Sequence, residues 1–217
     1  MLHPLAIEKS GFTNAHQIKN IIFDLGNVLI DIDLNKTIEK FRLLGVPSFD
    51  DLYSFEKQTH IFEKYETGHI STTEFRDHLR SFIPTPVSDE SIDQAWGAML
   101  CHLPEVRVKL LEKLSARYRL FLLSNTNATH VNTFVKEADE KYGQGIFDRL
   151  FIKTYYSNEV RLRKPDEAVF HYVVNDAGIQ LSESLFIDDL LVNVEGSRKA
   201  GLNAYWLENK DILSIFI

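Results

Sequence analysis

Ile21-Ile22-Phe23-Asp24-Leu25-Gly26-Asn27-Val28-Leu29 is the stretch from which the rest of the chain can be read. Three apolar residues lead into a carboxylate, and a Gly-Asn pair follows. Such a run is too short for a helix and fits a strand buried on both faces of a parallel sheet. Asp24 then falls at the strand's carboxyl end, the edge where open α/β sheets bind their ligands. Gly26 and Asn27 let the backbone turn sharply just beyond it. Alone, Asp24 is explained equally well as a cap for the next loop. Its meaning depends on what other strands carry to the same edge.

Downstream of Pro104 the pattern alternates. Pro104-Glu105 opens a helix carrying Val106, Val108, Leu110, Leu111 and Leu114. Leu120 to Leu123 reads as a buried strand ending in Ser124-Asn125-Thr126. A polar helix is expected over 129–141, and Leu150-Phe151-Ile152 as a third strand. Pro165 to Ala177 reads as a helix stopped by Gly178. Leu185-Phe186-Ile187 is a fourth strand ending in Asp188-Asp189. Val192 to Ala200 is a short helix, and Ala204 to Leu207 a fifth strand. Strands alternating with helices imply right-handed βαβ units, hence a Rossmann-like α/β fold: a parallel sheet of about five strands with helices on both faces.

One block breaks the alternation. Asn35 can cap a segment with Ile38, Phe41, Leu43 and Leu44, stopped by Gly45 and Pro47. Asp50 or Asp51 can cap a second, with Leu52, Phe55, Ile61, Phe62 and Tyr65, stopped by Gly68. Ser71 and Glu74 make a capping box for a third, and Ser88 caps a fourth carrying Ile92, Ala95, Trp96 and Met99. Residues 34–101 therefore read as wholly helical. They are too many for a loop and are expected to form an inserted cap domain over the strand ends. The core is then 20–33 with 102–217, preceded by an N-terminal extension, 1–19.

Three strands thus end in polar groups: Asp24, Ser124-Asn125 and Asp188-Asp189. Lys164-Pro165 opens a helix nearby in the same topology. In a parallel sheet these ends converge, bringing three carboxylates, a hydroxyl, an amide and an ammonium to one crevice. Carboxylates at that density repel one another unless a cation neutralises them. Oxygen ligands with few protein carboxylates suit Mg²⁺ shared with a phosphate, and the Ser124 hydroxyl, backbone amides and Lys164 suit phosphate oxygens. Singly, Ser-Asn is an ordinary turn, Lys-Pro a solvated helix start and Asp-Asp a cap pair. Their order at successive strand ends is the specific signal.

Across roughly residues 20–208 the chain resembles the haloacid dehalogenase-like hydrolase superfamily. The resemblance lies in Phe23-Asp24-Leu25-Gly26-Asn27-Val28, Leu122-Leu123-Ser124-Asn125-Thr126, Arg163-Lys164-Pro165 and Phe186-Ile187-Asp188-Asp189, with Asn193 and Ala200-Gly201 after the last. Tyr65 to Ser71, leading to Glu74-Phe75, resembles the family's helical cap. The nearest likeness is to its sugar-phosphate phosphatases and to the phosphatase domain of soluble epoxide hydrolases. The resemblance implies that Asp24 is the nucleophile and that Ser124, the Asn125 backbone and Lys164 hold the phosphoryl group. It implies that Mg²⁺ is bound by Asp24, the Gly26 backbone carbonyl and Asp189, with Asp188 orienting Lys164 or a metal-bound water. One departure stands out. Most phosphatases of this family carry a second Asp, as general acid and base, where this chain has Gly26. Asp31, Asp33 or a cap residue such as His69 are substitutes to consider. Three functions follow as expectations: a Mg²⁺-dependent phosphatase of a small phosphorylated metabolite, a metal-independent 2-haloacid dehalogenase, or a binding protein with an impaired site.

Composition narrows the surroundings. The net charge is −7 over 217 residues, with no Lys/Arg stripe, which argues against nucleic acid. No apolar run approaches the ~20 residues of a membrane span, and the first twenty residues lack a signal peptide's apolar core. The single cysteine, Cys101, excludes an internal disulfide, fits a reducing cytoplasm and reads as a buried spectator. A small phosphorylated substrate is the expected partner, with no nucleic acid, membrane or protein. His60, His69 and His78 match no tight zinc spacing and read as solvated, Trp96 and the nearby phenylalanines as core. Asn127-Ala128-Thr129 matches a glycosylation sequon that a chain without a signal peptide leaves unused.

Overall fold

The computed structural model describes residues 17–53 and 60–216. The expected N-terminal extension, except for 17–19, and Phe55 lie outside them. Among the described residues five strands form one parallel sheet: β1 (Asn20–Phe23), β2 (Arg119–Ser124), β3 (Lys153–Tyr156), β4 (Ser184–Asp188) and β5 (Asn203–Trp206). Their order is β3-β2-β1-β4-β5, with β1 in the centre. The registers bring Phe23 level with Leu122 and Ile187, so the residues just beyond, Asp24, Ser124 and Asp188, emerge together.

Alternate side chains of each strand feed opposite faces. Ile21, Phe23, Leu120, Leu122, Leu185 and Ile187 pack on one side. That side is covered by α6 (Glu105–Ser115), α7 (Ala128–Tyr142) and α8 (Ile146–Leu150). Ile22, Phe121, Leu123 and Phe186 pack on the other, under α10 (Glu167–Asp176) and α11 (Leu191–Lys199). A short helix, α9 (Ser157–Val160), follows β3.

The expected third strand is displaced. Phe151 is buried and Ile152 exposed, but Leu150 ends the helix Ile146–Leu150, and the strand is Lys153-Thr154-Tyr155-Tyr156. Among the described residues β3 is an edge strand, paired only with β2. Its two tyrosines are buried and its two polar residues lie at its start, so no continuous apolar run announces it.

The interrupting block folds as α1 (Leu34–Leu43), α2 (Phe49–Leu52), α3 (His60–Glu66), α4 (Thr72–Arg80) and α5 (Asp89–Gly97). Asp33, rather than Asn35, caps α1, accepting from the Asn35 amide at 3.2 Å. Ser48, rather than Asp50 or Asp51, stands at the N-cap of α2, and Leu43 is exposed instead of on the apolar stripe. Ser71 and Glu74 do form a capping box, and Ser88 caps α5. This helical insertion has its own aromatic core of Phe41, Phe49, Tyr53, Phe62, Tyr65, Phe75 and Trp96. Trp96 is nearly fully buried there, with the Tyr53, Phe62 and Phe75 ring centroids 4.9, 5.4 and 5.3 Å away.

Two crossing segments join the insertion to the sheet. Ile32 pairs antiparallel with Leu100, and Asp33 N–H donates to Met99 O at 2.9 Å and Cys101 N–H to Asp31 O at 3.0 Å. Cys101 is half-buried, not buried as expected, with Lys36 Nζ 3.5 Å from its sulfur. No helix among the described residues is long and apolar enough to cross a membrane.

Candidate active site

Asp24 lies just beyond β1 and its backbone N–H donates to Ile187 O at 2.9 Å, continuing the β1–β4 ladder. Lys164 reaches it from the loop before α10. Its Nζ is 2.5 Å from Asp24 Oδ1 and 2.7 Å from Asp188 Oδ2. Lys164 is 2 % exposed, Asp24 7 % and Asp188 0 %, so both ion pairs are desolvated, and removing the shared Lys164 would leave two buried carboxylates without a counter-charge, which is strongly destabilising. Asp188 is further held by Asn193 Nδ2, at 3.1 and 3.0 Å from its two oxygens, and by the Leu190 amide at 2.8 Å.

The lysine is aimed by its surroundings. Asn125 Nδ2 donates to Lys164 O, and Lys164 N–H donates to Asn125 Oδ1, both at 2.9 Å. The Asn125 side chain is thus committed to clamping the lysine backbone, which leaves its backbone as the part expected beside a phosphoryl group. The Lys164-Pro165 peptide is cis. Gly196, inside α11, lets that helix approach it, since a Cβ there would collide with the Pro165 carbonyl.

Asp189 completes an acidic trio. One carboxylate oxygen each from Asp24, Asp188 and Asp189 lies within 4.8 Å of the others. Asn27 Nδ2 donates to Asp189 Oδ2 at 3.1 Å, Lys210 Nζ lies 3.5 Å from that oxygen, and the Trp206 indole N–H donates to Asp189 O at 3.0 Å. Burial, and then the Asp188 charge, push the Asp189 carboxyl upward, tempered by the Asn27 bond. Burial also pushes Asp24 to about 7; Lys164 opposes this and Asp188 adds to it. Lys164 itself is held above its ordinary value: burial works against its charge, and the Asp188 and Asp24 carboxylates outweigh it. Three carboxylates around one buried ammonium carry surplus negative charge and only hard oxygen donors. Two oxygens bound to one Mg²⁺ at ~2.1 Å stand at most ~4.2 Å apart, close to the trio's spread, so the residues fit that ion.

Ser124 is buried at the end of β2. Gly26 forms a single bridge with Ile30, and a Cβ at Gly26 would meet Ile32 Cγ1 at 3.3 Å. Apolar side chain therefore occupies the space in front of the position where the resemblance implies a second aspartate. The suggested substitutes have other engagements. Asp31 pairs with Arg107 at 2.8 Å, Asp33 caps α1, and His69 Nδ1 meets Thr67 Oγ1 at 2.8 Å. The three histidines of the insertion join no metal-ligating cluster among the described residues.

The insertion touches the site's surroundings directly. Glu66 pairs with Arg163, the residue before Lys164, at 3.2 Å. Ser157 Oγ donates to Glu66 O at 2.6 Å, and Tyr65 Oη lies 2.6 Å from Thr129 Oγ1. Gly68 has φ +65°, and a Cβ on it would run into the Asn158 carbonyl. Asn127 is buried as the N-cap of α7, accepting from His130 N–H and from the Trp96 indole, so the sequon is sealed. Sequence reasoning missed Asn27, Glu66, Lys210 and Trp206; a Gly-Asn turn after a strand-end aspartate was the one available sign, and it pointed only to a turn.

Comparison with known proteins adds identity to this geometry. A family model described as haloacid dehalogenase-like hydrolase matches residues 18–201. The chain is 30 % identical to a D-ribitol-5-phosphate phosphatase of Bacteroides thetaiotaomicron over 192 residues, 88 % of this chain and 93 % of that protein. A HAD family enzyme from the same organism, crystallised as an aspartate-to-alanine mutant with magnesium and inorganic phosphate, superposes with a TM-score of 0.83. It is 37 % identical, and the match covers 87 % of this chain and 93 % of that one. An L-2-haloacid dehalogenase of Xanthobacter autotrophicus matches at TM-score 0.59 and 19 % identity, over 86 % of this chain and 76 % of that one, a likeness of fold alone.

Proposed function

The chain belongs to the haloacid dehalogenase-like hydrolases, and from that premise we propose a Mg²⁺-dependent phosphatase acting on a small phosphorylated polyol or sugar. The observation that carries this reading is the buried Asp24–Lys164–Asp188 chain of ion pairs with Asp189 beside it. The relative named for D-ribitol 5-phosphate and the neighbour holding magnesium and phosphate support the same chemistry.

In this mechanism an Asp24 carboxylate oxygen attacks phosphorus, and the bond from phosphorus to the ester oxygen breaks. The ester oxygen leaves and takes a proton from solvent; a water oxygen then attacks phosphorus of the aspartyl phosphate, the bond from phosphorus to the Asp24 oxygen breaks and the water's proton passes to solvent, releasing inorganic phosphate and restoring Asp24. Lys164 neutralises the nucleophile and the phosphoryl oxygens as charge redistributes, because such loosely bonded transfers need alignment and charge compensation above all. The Asn125 clamp and Asp188 fix where its ammonium stands. Ser124 and the Asn125 backbone would bind phosphoryl oxygens. Asp24, Asp189 and the Gly26 carbonyl would hold Mg²⁺, which supplies charge neutralisation for the transferring group. Residues 34–101 act as the cap over 20–33 and 102–217, and the C-terminal end of α3 with the turn after it, Tyr65–Gly68, packs against the segment leading to Lys164.

A metal-independent dehalogenase has no use for the surplus of carboxylates around Lys164, and nothing in the site favours it. The cytoplasm remains the expected compartment and the phosphorylated substrate the expected partner. A phosphate-release screen over polyol and sugar phosphates, with Mg²⁺ and with EDTA, tests the reading. Mg²⁺-dependent release from members of that panel is expected, and activity undiminished by EDTA contradicts it.

A further inference from the structure

Asn27 stands between the acidic crevice and the cap. Its φ is +54°, a left-handed backbone that few residues other than glycine adopt and that asparagine tolerates better than most. The Ile32 backbone N–H points at its side chain, at 3.2 Å. A backbone N–H can only donate, so the atom facing Ile32 is Oδ1. Nδ2 is thereby turned to Asp189 Oδ2, at 3.1 Å. One amide, with both ends used and its orientation dictated by its partners, joins a proposed metal ligand to Ile32.

Ile32 belongs to the first of the two segments that carry the cap. It pairs with Leu100 in the second, between the Asp33–Met99 and Cys101–Asp31 backbone hydrogen bonds. The Ile32 side chain also packs against the position where a Cβ of Gly26 would stand. The linker pair is therefore connected to the crevice through Asn27 and Gly26, in addition to the Glu66–Arg163 contact of the insertion.

We infer that Asn27 is a positioning residue that couples occupancy of the acidic crevice by a divalent cation to the linkers of the cap. By holding one oxygen of Asp189 it sets the rotation of that carboxylate and leaves the other oxygen for the cation. Any turn of Asp189 on ligation is passed through the amide to the Ile32 N–H. This rests on the metal-dependent reading above, and the test separates the two.

Asn27→Gly is the suitable variant, because glycine keeps the left-handed backbone and loses both side-chain bonds. Mg²⁺ alone is titrated calorimetrically into parent and variant, without substrate. The Mg²⁺ dissociation constant is expected to rise about 10–100-fold, as when other outer-sphere partners of metal ligands are removed. Hydrogen exchange at the Ile32 amide is followed in parallel. In the parent, Mg²⁺ is expected to slow it; in the variant, exchange is expected to be faster and indifferent to Mg²⁺. A parent that binds no Mg²⁺ overturns the metal-dependent reading and this inference with it. A parent that binds Mg²⁺ beside a variant of equal affinity overturns the inference alone. Should the variant fail to fold, exchange at Ile32 of the parent decides: a Mg²⁺-insensitive amide overturns the coupling, and a slowed one supports it.

Discussion

The Lys164 ammonium sits between Asp24 and Asp188, 2.5 Å from one and 2.7 Å from the other, with almost no access to water. A lysine so enclosed is there for the charge it carries. Lys164→Met is expected to leave Asp24 and Asp188 facing each other unpaired, to lower stability by several kcal/mol, of order the 3–5 kcal/mol typical of breaking a buried pair, and to abolish turnover. Lys164→Arg, too bulky and forked for the slot, should restore charge without activity. Chemical denaturation and phosphate release on the two variants check this.

Asp24 carries a pH prediction. Its folded pKa is pushed from the usual carboxylate range to about 7, first by burial. A carboxyl raised in this way contributes stability at low pH that is lost as pH rises toward and through 7. Asn mimics the protonated form. In EDTA, Asp24→Asn should therefore be more stable than the parent at pH 8, with the difference vanishing near pH 4. Mg²⁺ should narrow the gap at pH 8 by neutralising the parent's carboxylates. Melting temperatures across that range provide the test, and a parent more stable than the variant at pH 8 in EDTA contradicts it.

His130 runs the other way. It is buried in α7, its ring stacked on Trp96 of the insertion with centroids 4.8 Å apart, its Nε2 3.1 Å from Trp96 O. Burial lowers its pKa to about 4, partly opposed by that bond. An imidazole depressed in this way stabilises the fold above ~6.5, and the contribution is lost as pH falls through 4. The parent should lose stability between those values, and His130→Phe should flatten that part of the curve. Equal slopes in parent and variant would show that other groups govern acid unfolding.

Much of this could be read from the residues alone. Ile21–Phe23, Leu120–Leu123 and Leu185–Ile187 announce buried strands because central strands of a parallel sheet are apolar on both faces. Their polar ends share one edge, which brought Asp24, Lys164, Asp188 and Asp189 within reach of one another before any geometry was known. β3 was not legible: an edge strand of Lys-Thr-Tyr-Tyr is masked by the more apolar helix before it. Nor were Asn27–Asp189 and Glu66–Arg163, whose partners are distant in sequence and defined by side-chain orientation. Nor was the clamp of the Asn125 side chain on the Lys164 backbone, because it depends on how two loops meet.

Gly26 bears on the leaving group. A positioned acid typically contributes about 10²–10⁴-fold, and this chain has none at that position. Simple alkyl phosphates should lag aryl phosphates by roughly that range. Gly26→Asp alone should recover little, because the new side chain meets Ile32 Cγ1; Gly26→Asp with Ile32→Ala should recover more. The relative's name points to a primary alkyl phosphate, so a polyol phosphate turned over at the aryl rate would identify the cap or the substrate as the source of the proton. A flat series across simple esters would show that Gly26 is no handicap.

The central claim is that Asp24 becomes covalently phosphorylated in a Mg²⁺-dependent cycle. The direct measurement is an acid quench during turnover of a ³²P-labelled phosphate ester drawn from the screen, with the label traced to the peptide containing residue 24. Label at Asp24 that requires Mg²⁺, disappears on chase with unlabelled ester, and is absent together with turnover in Asp24→Asn is the predicted result. Turnover that persists in Asp24→Asn, with no label on that peptide in the parent, would contradict it.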